Sequence, residues 1–357
     1  MKALRLYAGP KALAHIRAQG LHASHIGALA GAAGGPKGLM LGPLDRFVFG
    51  HWLAQSRQPL DLVAASIGAW RFACACMEEP VKAFERFEQA YIHQHFEPEP
   101  GRKRPSAEQV SREFANGLAA FYAGSIDGIV QHPCLRLHVI TSRGRHVLGR
   151  EHPVLTPLGY VGAYVSNAMH RRWLGAWLER VVFSSHGDLP FDTQDLSTLH
   201  LRLQASNFLA VIQASCAIPF VLKAIHDIPG APPGAHWDGG ITDYHLHLNY
   251  QLPTQSPIVL YPHFQKAVVP GWLDKALRWR HTATRALDSV LVLAPDPEWV
   301  RSLPNGKIPD RSDFITYGRD LSARVKAWTS AARAAQQLAD EFEAWLHHPD
   351  PHQIQAL

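Results

Sequence analysis

The chain has 357 residues, 46% of them hydrophobic and 18% charged, a balance that fits a folded protein with a substantial core and excludes a disordered one. Its formal net charge is +5, from 35 Lys and Arg against 30 Asp and Glu. With no zinc-finger spacing, RNP-type motif or long basic block, that balance turns the reading away from nucleic acid and is compatible with an anionic lipid surface.

No apolar stretch approaches the roughly 18 residues that span a bilayer. The opening "MKALRLYAGPKALAHIRAQG" lacks the unbroken apolar core and small-residue cleavage site of a signal peptide, so a cytoplasmic location is expected. The four cysteines, Cys74, Cys76, Cys134 and Cys216, form no CxxC pair. They read as small buried thiols, with no disulfide framework, no zinc site and no cofactor expected.

In chain order, residues 10–20 predict a short helix, opened by Pro10 and closed by Gly20. "HIGALAGAA" predicts a buried strand of small residues, followed by the turn "GGPKG" and a helix over 39–55. "LDLVAA" (60–65) predicts a second strand, and "SIGAWRFACACMEE" a helix. Strand, turn, helix, repeated, is the pattern of an α/β fold with a mostly parallel central sheet flanked by helices. Residues 97–109, "EPEPGRKRPSAEQ", read as a mobile surface loop. "LRLHVIT" (135–141) is a strand, residues 161–183 a long helix, and "LHLRLQAS" a strand. "NFLAVIQASCA" is a helix capped by Asn207 or Ser206. "IVLY" and "SVLVLAP" are strands, and residues 320–348 an amphipathic terminal helix. Residues 270–287 interleave Trp272 and Trp279 with Lys275, Arg278 and Arg280. They predict a basic amphipathic helix, packed on the core or lying on a membrane surface.

Three segments carry chemistry. Ser66, in Ala64-Ala65-Ser66-Ile67-Gly68, stands where a strand turns into a helix. Small neighbours there permit a tight turn that thrusts the hydroxyl out; helix capping is the alternative role. Residues 32–38, "AAGGPKG", follow a strand, and Gly34 and Gly35 offer bare amides suited to a phosphate or an oxyanion. The order is neither that of a P-loop nor that of a dinucleotide fold. Asp238 precedes Gly239 and Gly240, where another segment can approach closely.

The set resembles the patatin-like phospholipase family, lipid acyl hydrolases with a Ser–Asp dyad. The shared features are Gly34-Gly35-Pro36-Lys37-Gly38, the Ser66 turn and Asp238-Gly239-Gly240, in that order, with "QASCAIPF" (213–220) ahead of the aspartate. The chain departs from the family pattern at Ala32, Ala33 and Ala64, where it usually has an acidic residue and glycines, and in "ITDYH" after the aspartate. The resemblance spans about residues 26–243. It implies a single three-layer domain over 1–357, with a helical C-terminal part from about 265. It also implies a Ser66–Asp238 dyad that cleaves lipid acyl esters through an acyl-enzyme. Gly34, Gly35 and Ile67 would form the oxyanion hole, and Lys37, Gly38, Gly68 and Gly239 would support the loops. The partners would be a lipid or acyl-ester substrate and an anionic membrane surface touched peripherally.

Two other readings compete. Asp243, His245 and His247 form an H-x-H cluster like that of some metal-dependent hydrolases. An inactive lipid- or partner-binding protein that kept the fold is the other, argued by the altered glycine loop. His236, two positions before Asp238, is an alternative base, and Ser215 a rival nucleophile expected to be structural.

Overall fold

The computed structural model describes residues 1–54, 56–102 and 104–357. Among the described residues ten strands form one sheet: β1 (Leu4–Ala8), β2 (Ile26–Gly31), β3 (Leu60–Ala65), β4 (Leu135–Gly144), β5 (Leu178–Ser184), β6 (Thr198–Arg202), β7 (His236–Asp238), β8 (Ile258–Pro262), β9 (Val290–Pro295) and β10 (Ile354–Ala356). Their order is β10-β1-β9-β8-β2-β3-β4-β5-β6, with β7 paired to β4. Most pairings are parallel; β1–β9, β4–β5 and β4–β7 are antiparallel. The result is the expected three-layer α/β fold, a mostly parallel mixed sheet flanked by helices.

Alternation along each strand sorts the side chains into two cores. In β3, Leu62 and Ala64 face one core, Val63 and Ala65 the other. The first core is roofed by helices, among them Ile67–Ala75, Pro80–Ile92, Ala107–Tyr122 and Gln336–His347. On the second face the cover is mostly irregular chain, with Leu246, Leu248, Tyr250, Phe264 and Val268 packed on the strands.

Several elements differ from the sequence expectation. Residues 161–183 are not one helix. A helix runs Leu155–Met169, a tight turn covers Arg171–Ala176, and β5 follows. "LERVVF" forms a strand because Val181 and Phe183 enter one core and Val182 the other. Residues 270–287 hold three short turns, Trp272–Asp274, Arg278–Arg280 and Arg285–Leu287. The buried Asp274 carboxylate gathers the Gly271 amide, Asn167, Arg171 and Arg280, which pins the chain in a compact form a helix would not allow. The terminal helix divides into Leu321–Ala334 and Gln336–His347, and the stretch after residue 265 also contributes β9 and β10. The helix expected over 39–55 is present, wound in three ways: a 3-10 helix Gly35–Leu41 leads into an α-helix Gly42–Phe47 and a wider π-helical turn Val48–Trp52; Gln55 lies outside the described residues. In the expected loop 97–109, Lys103 likewise lies outside them, and Ser106 caps a helix by accepting from the Gln109 amide at 3.1 Å. Cys74, Cys76 and Cys216 are free and buried, whereas Cys134 is half-buried, with its thiol donating to the Arg57 carbonyl. Among the described residues no helix is long and apolar enough to cross a membrane.

Candidate active site

Two strands placed end to end on β4 build the site. The last pairing of β3 sets Ala65 opposite Ile140. The next residue of β4, Thr141, pairs with Asp238 at the end of β7. β5 occupies the other edge of β4 over the same residues, so β3 and β7 share one edge and their ends meet. Residues 172 positions apart thereby touch: the Ser66 hydroxyl donates to Asp238 Oδ2 at 2.7 Å.

Ser66 stands at φ 57°, ψ −128°, a backbone region sparsely used by non-glycine residues. Three neighbours hold it there. Its amide donates to Ser215 Oγ at 2.9 Å, and that hydroxyl donates to the Ile140 carbonyl at 2.7 Å, so Ser215 is structural. Gly68 brings the start of the following helix against β2; a Cβ there would lie 1.9 Å from the Gly31 carbonyl oxygen. Ala64, which replaces the first glycine of the motif, fits because its partner on β2 is Gly31. Arg71 then anchors the helix from beneath. Fully buried, it makes a two-pronged pair with Asp45 at 2.7 and 2.6 Å.

Asp238 is held as firmly. Its Oδ1 accepts from the Gly240 amide at 2.7 Å, its own amide donates to the Ala217 carbonyl, and its carbonyl accepts from Ser142 Oγ. Gly239 is required by close approach, since a Cβ would meet the Ile140 carbonyl oxygen at 2.1 Å. Burial raises the Asp238 carboxyl above its ordinary value, while Arg311, the hydrogen bonds from Ser66 and Gly240, and Lys275 pull it back down. A carboxylate biased in this direction is a better proton acceptor than an exposed one.

The dyad opens into a cavity of about 260 Å³. Gly34 and Lys37 line it, together with Ile218, Tyr244, Trp272 and Lys275. The Ala33 amide donates to the Tyr244 carbonyl at 2.9 Å, tying the glycine loop to the chain that follows Asp238. Gly35 is in a left-handed conformation at φ 57°, with the Arg311 guanidinium alongside. The amides of Gly34, Gly35 and Ile67 have no acceptor among the described residues, which leaves three donors at helix starts near the serine. Gly38 packs against the Ile67 side chain.

Three cations crowd the cavity: Lys37, Lys275 and Arg311, none ion-paired among the described residues. Lys37 lies over the Phe264 ring at 4.9 Å, and burial lowers its pKa. Lys275 lies over the Tyr244 ring at 4.1 Å. Burial and the repulsion of Arg311 and Lys37 bring it down to about 8. Lys275 and Trp272 fall in a stretch whose sequence suggests a surface helix, and Arg311 carries no sequence signal at all.

The remaining candidates lie elsewhere. His236 is buried on β7 with Nδ1 3.1 Å from Thr141 Oγ1, and burial holds it down to about 4. Among the described residues it does not line the cavity and makes no hydrogen bond to either member of the dyad. Asp243, His245 and His247 do not converge. Asp243 is committed to Arg180 at 2.8 and 2.6 Å, His245 Nδ1 receives the Val269 amide, and His247 lies between the Val268 carbonyl and Thr284 Oγ1. Among the described residues no three His, Cys, Asp or Glu side chains are grouped as a metal site would need.

No protein-family model and no curated protein matches the chain. The geometry therefore stands on its own. It can do one kind of chemistry directly: a buried carboxylate within hydrogen-bond reach of a hydroxyl can accept its proton as the oxygen attacks.

Proposed function

We propose that the protein is a serine acyl hydrolase that cleaves lipid acyl esters. The single observation that carries this reading is the 2.7 Å hydrogen bond from Ser66 to a buried carboxylate, with Ser66 held in a strained turn at the edge of a cavity. The ordered likeness to the patatin-like phospholipase motifs supports the same reading. So do the three cations, which suit a substrate carrying a phosphate headgroup.

In the first step the Ser66 oxygen attacks the ester carbonyl and its proton passes to Asp238. The carbonyl oxygen becomes an oxyanion, met by the amides of the glycine loop and of Ile67; one such donor contributes on the order of 3 kcal/mol in the transition state. Collapse of this intermediate breaks the bond to the alcohol, which takes the proton from Asp238, and leaves an acyl group on Ser66. Water then attacks the acyl-enzyme, with Asp238 receiving its proton and returning it to Ser66 as the acid departs.

The test is a series of p-nitrophenyl esters of rising acyl length, with and without a chelator. Turnover that favours longer chains and is unchanged by EDTA is expected. Activity abolished by EDTA and restored by a divalent metal would return the metal-dependent reading. No turnover of any ester would return the reading of an inactive binding protein.

A further inference from the structure

The helix Leu155–Met169 contains no charged side chain. A surface helix ordinarily turns its apolar side chains to the core and its polar ones to solvent. Here only one face is covered, with Thr156, Tyr160, Ala163 and Asn167 turned inward. On the other, Leu158 and Val161 are each 60% exposed, Val165 51% and Met169 67%. Spaced by three and four, these form a single line about 16 Å long. Contiguous exposed apolar surface of this kind marks an interaction site.

The covered face of the helix reaches the segment that borders the candidate cavity. Phe220, 60% exposed and at φ 68°, has its ring 5.8 Å from that of Tyr160 on this helix. It directly follows Ile218 and Pro219, which line the cavity. At the other end, Arg280 donates to Asn167 Oδ1 and the Ala168 carbonyl at 3.3 Å, which fixes the turn Arg278–Arg280 beside Met169. That turn displays Trp279, an amphipathic ring suited to a water–lipid boundary.

The rim is basic. Arg150 and Arg172 flank the two ends of the helix, and Arg278 sits in the adjoining turn. All three are exposed and without an ion pair among the described residues. The neighbouring acids are already occupied: Glu151 by Lys223 and His226, and the buried Asp274 by Arg171 and Arg280. A second copy meeting this face by two-fold symmetry would set the rim arginines against one another. A lipid surface with anionic headgroups accepts both the apolar line and the rim.

We propose that this face docks the protein on an anionic lipid surface, with the Ser66 cavity opening beside the layer. The proposal rests on the ester-hydrolase reading for its purpose, and extends it by naming where the substrate comes from. The segment 270–287 contributes through Trp279 and Arg278, though not as the amphipathic helix its sequence suggests.

The experiment floats full-length Ser66→Ala protein, which leaves lipid intact, with vesicles of phosphatidylcholine alone or mixed with phosphatidylglycerol. Binding to the mixed vesicles is expected to be at least about 10-fold tighter than to the neutral ones. Val161→Asp/Val165→Asp should weaken it by at least about 10-fold with an unchanged unfolding midpoint, because both side chains are already in solvent. Arg172→Glu/Arg278→Glu should erase the preference for phosphatidylglycerol. Failure of the Ser66→Ala protein to bind either vesicle, or undiminished binding by the Val161→Asp/Val165→Asp variant, would overturn the proposal. So would a dimer that the same variant splits and that ignores vesicles. Turnover of dissolved p-nitrophenyl esters by the unsubstituted protein is read separately, so the docking face and the hydrolase reading can fail independently.

Discussion

Replacing Ser66 with alanine is expected to lower kcat/KM for p-nitrophenyl esters by about ten-thousand-fold or more, and Asp238→Ala or Asp238→Asn by about a thousand-fold. The first substitution removes the proposed nucleophile. The second removes the proposed proton acceptor, and asparagine can hold a hydrogen bond to Ser66 without accepting its proton. A structural serine would show neither loss, and an independent base would spare Asp238→Asn. The same contact sets a pH dependence. In the proposed mechanism Asp238 acts as the carboxylate, and burial raises its pKa. Activity therefore falls as pH drops through that raised value, above the range of an exposed aspartate. Arg311 is the leading influence that opposes the rise. Arg311→Gln should accordingly move the acid limb of the kcat/KM profile to higher pH. A limb moving to lower pH would mean that another group titrates.

The second large effect is on stability. Asp45 and Arg71 are both buried to within 1% of full enclosure and joined by two hydrogen bonds. Asp45→Ala leaves the guanidinium enclosed without its counter-charge and should cost about 3–5 kcal/mol in urea unfolding. Asp45→Leu/Arg71→Met removes both charges and should recover most of that loss. Because Arg71 is on the helix that starts beside Ser66, Asp45→Ala should also loosen the catalytic turn, read as a further fall in ester turnover at temperatures where the protein remains folded. Equal stability of the single and double variants would show that the pair does not anchor the helix.

Much of this architecture was legible in local sequence. "LDLVAA" alternates between two cores, and small residues followed by Ser66 and Gly68 signal a tight strand-to-helix turn. Asp238 with two glycines signals a close approach, and its glycine indeed lies against the Ile140 carbonyl. What escaped sequence reasoning depends on distant partners. β7 has three residues, too few for any periodicity, yet its register on β4 is what brings Asp238 to Ser66. The long helix expected over 161–183 failed because "VGAYV" and the "VVF" of "LERVVF" are both apolar, and the single Gly175 between them is too weak a turn signal to separate helix from strand. Only pairing with β4 and β6 makes the second a strand. Arg311 reaches the cavity from a loop far along the chain, where no motif marks it.

The central claim is that Ser66 is an activated nucleophile. Treatment of the unsubstituted protein with a fluorophosphonate, followed by mass mapping of the adduct, tests it most directly. One phosphonyl group on Ser66, absent from Ser66→Ala and strongly slowed in Asp238→Asn, is the predicted result. A protein left unlabelled, or labelled at Ser215 or another hydroxyl while Ser66 remains free, would contradict it.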